Sequence, residues 1–267
     1  MVKGSLGIIA CPILEDELIY NLLNDNDVKN IFLLENDNNA DMAVKLTRNG
    51  LAYTSLDERM FLSGMETIPE EEFNIVILMN DMGLHDDPER LKSNLRETML
   101  FMQARVDAIA LYYGLCGNAN QGLEEWASVN LTKPVTIFKD ASGKICDDCI
   151  GVAVGGTENY YNLQKKYTGI LYYTPAMATK WREFFMTNEI FNGVETKNFD
   201  RIKMILEMCD YHDVLKVPTG LGDEDEFEES LNEFAKEFKF NIRHLEPGWV
   251  TLEPTIRIYS DVKSFLN

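Results

Sequence analysis

Positive charge is scarce in this chain: 25 lysines and arginines stand against 44 aspartates and glutamates, a net charge of −19. That shortage excludes nonspecific binding to nucleic acid or to anionic membrane, both of which need basic surface. Long apolar runs are missing too. The longest are strand-sized, whereas a membrane-spanning helix needs roughly 20 residues, so no membrane insertion is expected. Several chemical signatures are also absent. There is no Gly-x-Gly-x-x-Gly dinucleotide loop, no Gly-x-x-x-x-Gly-Lys-Ser/Thr phosphate loop, no His-x-x-x-His pair and no Gly-x-Ser-x-Gly elbow. Nothing therefore argues for a nucleotide or a serine hydrolase. Histidines number three, and no low-complexity linker or strict repeat occurs.

What the chain does have is cysteine in telling places. Ser5-Leu6-Gly7-Ile8-Ile9-Ala10-Cys11-Pro12 puts a thiol just past an apolar run. Val106 to Tyr112, then Tyr113-Gly114-Leu115-Cys116-Gly117, repeats the arrangement. Val135 to Phe138 is followed by a loop and Cys146-Asp147-Asp148-Cys149. In parallel α/β sheets, ligands gather beyond the carboxyl ends of the strands. Parallel strands here would bring distant thiols to one rim. The N-terminal apolar run is too short for a secretory signal, which predicts a cytoplasmic protein. In a reducing compartment, five cysteines, an odd number, are free thiols or ligands rather than disulfides.

Strand-like and helix-like segments alternate. Strands are predicted at 6–10, 30–34, 73–79, 106–112, 135–138, 169–173, 212–217, 240–245 and 255–259. Helices are predicted at 14–23, 40–49, 88–104, 122–129, 150–163 (broken near Gly155-Gly156), 176–185, 199–209 and 224–239. The best of these has Asp87 as cap, Pro88 at its first position and Leu91, Leu95, Met99 and Met102 on one face. This grammar predicts an α/β protein with a mostly parallel, Rossmann-like sheet or sheets. Two interlocked lobes are expected, residues 1–140 and 141–267, with a cleft at the strand carboxyl ends. One continuous sheet is the other arrangement that fits.

Cys11 precedes a helix whose amides and dipole favour a thiolate. Gly114 and Gly117 permit close approach of a ligand to the Cys116 loop, and Asn118 offers hydrogen bonds there. Cys146 and Cys149 form a Cys-x-x-Cys pair whose spacing suits one metal or one redox couple. His85, past a strand end, is the outside candidate for a base or a fourth ligand. Glu15 falls in the first helical turn after Cys11 and is a candidate to face the same cleft, whereas Glu17 is expected in solvent. Cys209 is expected in the core or at its boundary, and His244 in a structural role.

Taken together, several pieces resemble a prokaryotic family, the domain of unknown function 1638. They are Ala10-Cys11 with Leu14-Glu15-Asp16-Glu17-Leu18, then Tyr113-Gly114-Leu115-Cys116-Gly117-Asn118. Asp148-Cys149-Ile150 with Gly155-Gly156 and Tyr160 follows, and then Gly169-Ile170-Leu171-Tyr172-Tyr173-Thr174-Pro175. Family members often carry a histidine before the Asp-Cys pair; here Asp147 stands there, preceded by an extra thiol, Cys146. The resemblance implies no established activity. It implies an archaeal or other prokaryotic context beside corrinoid-dependent methyltransferases, and a corrinoid protein or methyltransferase as partner.

The leading expectation is thus a cytosolic metalloprotein. Cys11, Cys116 and Cys149 would hold zinc or an iron–sulfur cluster, with Cys146 as fourth ligand. The alternatives are a metal-free pair of thiols, Cys11 and Cys116, moving a proton at a carbon acid as in cofactor-independent racemases, and an acidic docking module without catalysis.

Overall fold

The computed structural model describes residues 2–187 and 199–266. Two parallel sheets organise them. The larger is built from β1 (Gly4–Ala10), β2 (Asn30–Glu35), β3 (Thr54–Asp57), β4 (Phe73–Met79), β5 (Ala108–Tyr112) and β6 (Val135–Ile137), in the order β3-β2-β4-β1-β5-β6. Every pairing in it is parallel. Its central strands are near-continuous apolar runs because helices cover both faces. All seven residues of β4 are buried, as are Ser5 to Ala10 of β1. This is the Rossmann-like α/β architecture that the alternation predicts.

Helices follow the strands: α1 (Glu15–Leu23), α2 (Ala40–Arg48), α3 (Glu58–Ser63), α4 (Pro88–Met102) and α5 (Leu123–Asn130). Asp87 caps α4, its carboxylate accepting from the Glu89 and Arg90 amides at 2.9 and 3.2 Å. Residues 51–72, unassigned by sequence pattern, supply β3 and α3. Their weak periodicity hides them, since β3 is an edge strand with no fully buried residue.

Next come α6 (Cys149–Ala153) and α7 (Thr157–Lys166), separated at Gly155-Gly156. The second sheet contains β7 (Ile170–Tyr173), β8 (Asp213–Lys216) and β9 (Asn241–His244), in that order and parallel. Between its strands run α8 (Pro175–Thr179), α9 (Trp181–Thr187), α10 (Asp200–Met208) and α11 (Glu224–Phe238). An aromatic cluster of Trp181, Phe185, Phe234 and Phe238 joins α9 to α11.

The strand expected at 255–259 is instead part of α12 (Glu253–Ser264). Thr255-Ile256-Arg257-Ile258-Tyr259 alternates like a strand, but Pro254 sits in the first turn, a favoured helical position. Thr255, Ile258, Tyr259 and Val262 are buried at helical spacing. The helix returns to the first sheet, packing on β5, β6 and α1. Asn21 of α1 donates to the Thr255 carbonyl and the Tyr112 hydroxyl, each at 2.9 Å. Among the described residues, no helix is long and apolar enough to cross a membrane.

Candidate functional site

Strand order places β1 between β4 and β5, so three strand ends meet. Ala10 is level with Met79 on one side and Tyr112 on the other. The Cys11 amide continues the ladder, donating to the Tyr112 carbonyl at 3.2 Å, and the Asn80 amide donates to the Ala10 carbonyl at 3.0 Å. Residues just past these three ends therefore share one rim.

Cys11 follows β1 and caps the short 3-10 turn Pro12–Leu14, its sulfur accepting from the Ile13 amide at 3.4 Å. It is buried, 3% exposed. Burial pushes its thiol up to about 12, and the carboxylates of Glu15 and Glu17 add to this against the Ile13 amide and Lys180.

His85 comes from the 3-10 turn Met82–Asp86 beyond β4. Its Nε2 lies 3.7 Å from Cys11 Sγ, and its Nδ1 lies 3.1 Å from the Met82 carbonyl oxygen. An imidazole that gives its Nδ1 proton to a carbonyl leaves Nε2 a lone pair aimed at the sulfur. The ring stacks on Tyr113, with centroids 5.7 Å apart and planes 18° apart. Burial disfavours the imidazolium, but hydrogen bonding to Cys116, that thiol's charge and the Met82 carbonyl outweigh burial and raise the pKa.

The Cys116 loop is conformationally unusual. Cys116, Gly117 and Asn118 all have left-handed backbones, with φ of 47°, 65° and 69°. For cysteine that region costs about 1–2 kcal/mol, and such strain concentrates at working sites. Hydrogen bonds hold the loop: the Leu115 and Cys116 amides donate to the Cys146 and Asp147 carbonyls at 2.8 and 2.7 Å. Asn120, fully buried, donates to the Gly114 carbonyl at 2.8 Å. Gly114 is demanded by this packing, because a Cβ there would lie 2.6 Å from the Cys146 carbonyl oxygen. Gly117 and Asn118 are exposed at the loop tip.

Cys149 opens α6, behind the cap Asp148, whose carboxylate accepts from the Gly151 amide at 2.9 Å. Its sulfur lies 3.8 Å from Met177 Sδ. Burial raises its pKa well above the usual thiol value, and Asp148, Cys11, Cys116 and Glu17 act in the same direction. The charges of Cys11 and Cys116 thus reach Cys149, while the imidazole of His85 faces Cys11.

Cys146 keeps different company. It is fully buried in the main core, its amide donating to the Phe138 carbonyl at 3.0 Å. After burial, the charges acting on it most are Asp140, Glu253, Asp147 and Asp148. The turn between the two thiols sends them to different surroundings. Cys209 is exposed at the end of α10.

Glu15 is fully buried, with lysine nitrogens of Lys45 and Lys180 at 3.6 and 3.7 Å and no hydrogen bond to either oxygen. Burial raises its pKa to about 7 against the two lysines. Glu17 is not in solvent as its helix position suggests; it is 5% exposed, with Oε2 unpartnered. The whole first turn of α1 is enclosed. Burial, then Asp16, raises the Glu17 pKa to about 8. Its charge acts on Cys11, Cys149 and Tyr112, so it belongs to the thiol neighbourhood.

Among the described residues, no group of three or more Cys, His, Asp or Glu side chains is placed to hold a metal ion. The profile of one family matches residues 79–256. The chain belongs to that family, described as protein of unknown function (DUF1638). The matched stretch includes His85, Cys116, Cys149 and Met177. No curated protein and no solved structure matches the chain.

Sequence reasoning overlooked Tyr113, Asn120, Glu17 and Met177 as members of this neighbourhood. Tyr113 and Met177 each lie just past a strand, where the strand-end rule points. Glu17 and Asn120 carry no such signal.

Proposed function

We propose that this protein binds a soft metal centre, zinc or iron–sulfur, at Cys11, His85, Cys116 and Cys149. One observation carries the reading: the 3.7 Å between Cys11 Sγ and His85 Nε2. Zinc–sulfur and zinc–nitrogen bonds of about 2.3 and 2.0 Å at a tetrahedral angle set the two donors about 3.5 Å apart. The Met82 carbonyl supplies the outer contact that orients a ligating imidazole. Three thiols and an imidazole favour soft ions over magnesium or calcium.

Electrostatics support the same reading. The charges of Cys11 and Cys116 raise the cost of ionising Cys149. Lys180, the cation that acts on Cys11, is occupied by Asp41. A bound cation removes that cost, and the ligands must lose their protons to take it. The family resemblance extends the reading to work beside corrinoid-dependent methyl transfer.

The test is anaerobic purification followed by metal and sulfide quantification and an absorbance spectrum. One metal per chain without sulfide gives a mononuclear centre; stoichiometric sulfide gives a cluster. Protein without metal that cannot be reconstituted overturns the proposal. The Cys11–His85 pair then reads as a thiol–imidazole acid–base dyad, detected as deuterium exchange at a carbon acid.

A further inference from the structure

A cleft of about 540 Å³ opens where the two sheets' helices meet, and none of the cysteines lines it. Its volume is that of a small-molecule site. The end of α8 and the loop before α11 form one wall, beyond the carboxyl ends of the parallel strands β7 and β8, where α/β proteins gather ligands. α1 and α2 form the other. The loop presses on α1: a Cβ at Gly222 would lie 2.9 Å from Asp16 Oδ2.

Among the described residues, four acids and three bases line the cleft: Asp16, Asp41, Asp223 and Glu226 against Lys45, Arg48 and Lys180. Each base is already engaged. Lys45 holds Asp16, Lys180 holds Asp41, and Arg48 reaches Glu226 at 2.9 Å and Asp223 at 3.8 Å. Behind them stands Glu15, 3.6 and 3.7 Å from the two lysine nitrogens, fully buried and with neither carboxylate oxygen hydrogen-bonded. A buried carboxylate left without a donor marks a place where one is wanted. An anion entering here would have to displace a carboxylate from a lysine or the arginine. A cation instead meets an excess of negative charge. Beside the acids the wall is apolar: Ile19, Leu23 and Val44 line it, with Leu23 and Val44 left half-exposed.

We infer that this cleft binds a small aliphatic diamine, with its ammonium groups on the acids and its alkyl chain on Ile19, Leu23 and Val44. An ammonium brings three donors and no acceptor, which suits carboxylates that outnumber their cations. The chain between two ammoniums covers the apolar side chains that water now wets. This ligand does not depend on a metal at the thiols.

The experiment titrates the full-length protein calorimetrically with 1,4-diaminobutane, and separately with adipate, the dicarboxylate of the same alkyl span. The expected result is one saturable site for the diamine and none for adipate. Glu15→Gln should weaken the diamine about tenfold, as loss of a charged hydrogen-bond partner does. Two variants at half-exposed positions, which the fold tolerates, give independent readouts. Val44→Ser should weaken the diamine about fivefold through lost apolar contact. Arg48→Gln frees Asp223 and Glu226 and should strengthen it about fivefold; a site built for anions would change in the opposite direction. Glu89→Gln, an exposed acid on α4, is the control and should change nothing. Saturable adipate binding, weaker diamine binding in Arg48→Gln, or a diamine signal that never saturates and ignores Val44→Ser overturns the inference. The last of these is general attraction to a chain of net charge −19. Metal content of the same preparations reports on the thiols separately.

Discussion

Cys11 Sγ faces His85 Nε2 across 3.7 Å, although 74 residues separate them in the chain. Parallel pairing of β1 with β4 makes the encounter, and the Met82 carbonyl fixes which imidazole nitrogen is presented. His85→Ala is therefore expected to cost as much bound metal as Cys11→Ser. Cys146→Ser and Cys209→Ser should retain it, since one lies in the main core and the other is exposed. Metal-to-protein ratios of the variants, prepared side by side, decide this. Equal loss in Cys146→Ser and Cys149→Ser would contradict the geometry.

Gly114→Ala should disturb the site without touching a ligand. The added Cβ meets backbone at 2.6 and 2.9 Å, the Cys146 oxygen and the Asp148 nitrogen. The 113–116 and 146–149 loops must then part, at a cost of about 1–3 kcal/mol. A chain of this size should lose about 4 °C in Tm for a 2 kcal/mol change. Gly117→Ala, at the open loop tip, meets only Pro88 Cγ at 3.9 Å. It should cost about 1 kcal/mol, from the left-handed backbone alone. Calorimetry on both variants separates the two effects.

Glu17 gives a pH dependence of definite sign. Its pKa is raised to about 8 in the folded protein, from 4.5, by burial first and Asp16 next, against Lys45. The native state then holds this proton where the unfolded state has lost it, so stability falls as pH rises from about 4.5 to about 8. Glu17→Gln removes that part of the slope. Metal-free Glu17→Gln should match the wild type near pH 4 and exceed it by about 1–3 kcal/mol at pH 8.5. Urea denaturation at the two pH values measures the difference; a variant less stable at the higher pH would reverse the sign.

Nucleic acid should not bind. A net charge of −19 leaves little basic surface to release counterions. Fluorescence anisotropy with random duplex DNA at physiological salt should stay flat, and a tight isotherm would refute the charge argument.

The class of fold was legible because its signals are local. Apolar runs such as Phe73–Met79, and a helix with its own cap such as Pro88–Met102, carry their identity in a dozen residues. The start of α12 carries both a strand-like β-branched alternation and a proline-led first turn, and packing on β5 decides between them. The site divides the same way. That Cys11 and Cys116 each follow a strand is legible from pattern; that those strands are neighbours is set by the sheet order. That Cys149 is half-buried at the start of α6 while Cys146 is fully buried in the core depends on the two residues between them. Glu17 lies inside because α1 is enclosed at its start, which no spacing rule states.

The return of α12 to the first sheet has a consequence for anyone dissecting the molecule. Residues 253–264 cover β5 and β6, and the Thr255 carbonyl is tied to Asn21. A fragment cut near residue 140 would carry all six strands of the first sheet yet leave two of them bare on one face. The last helix is a clasp that closes the end of the polypeptide over its beginning.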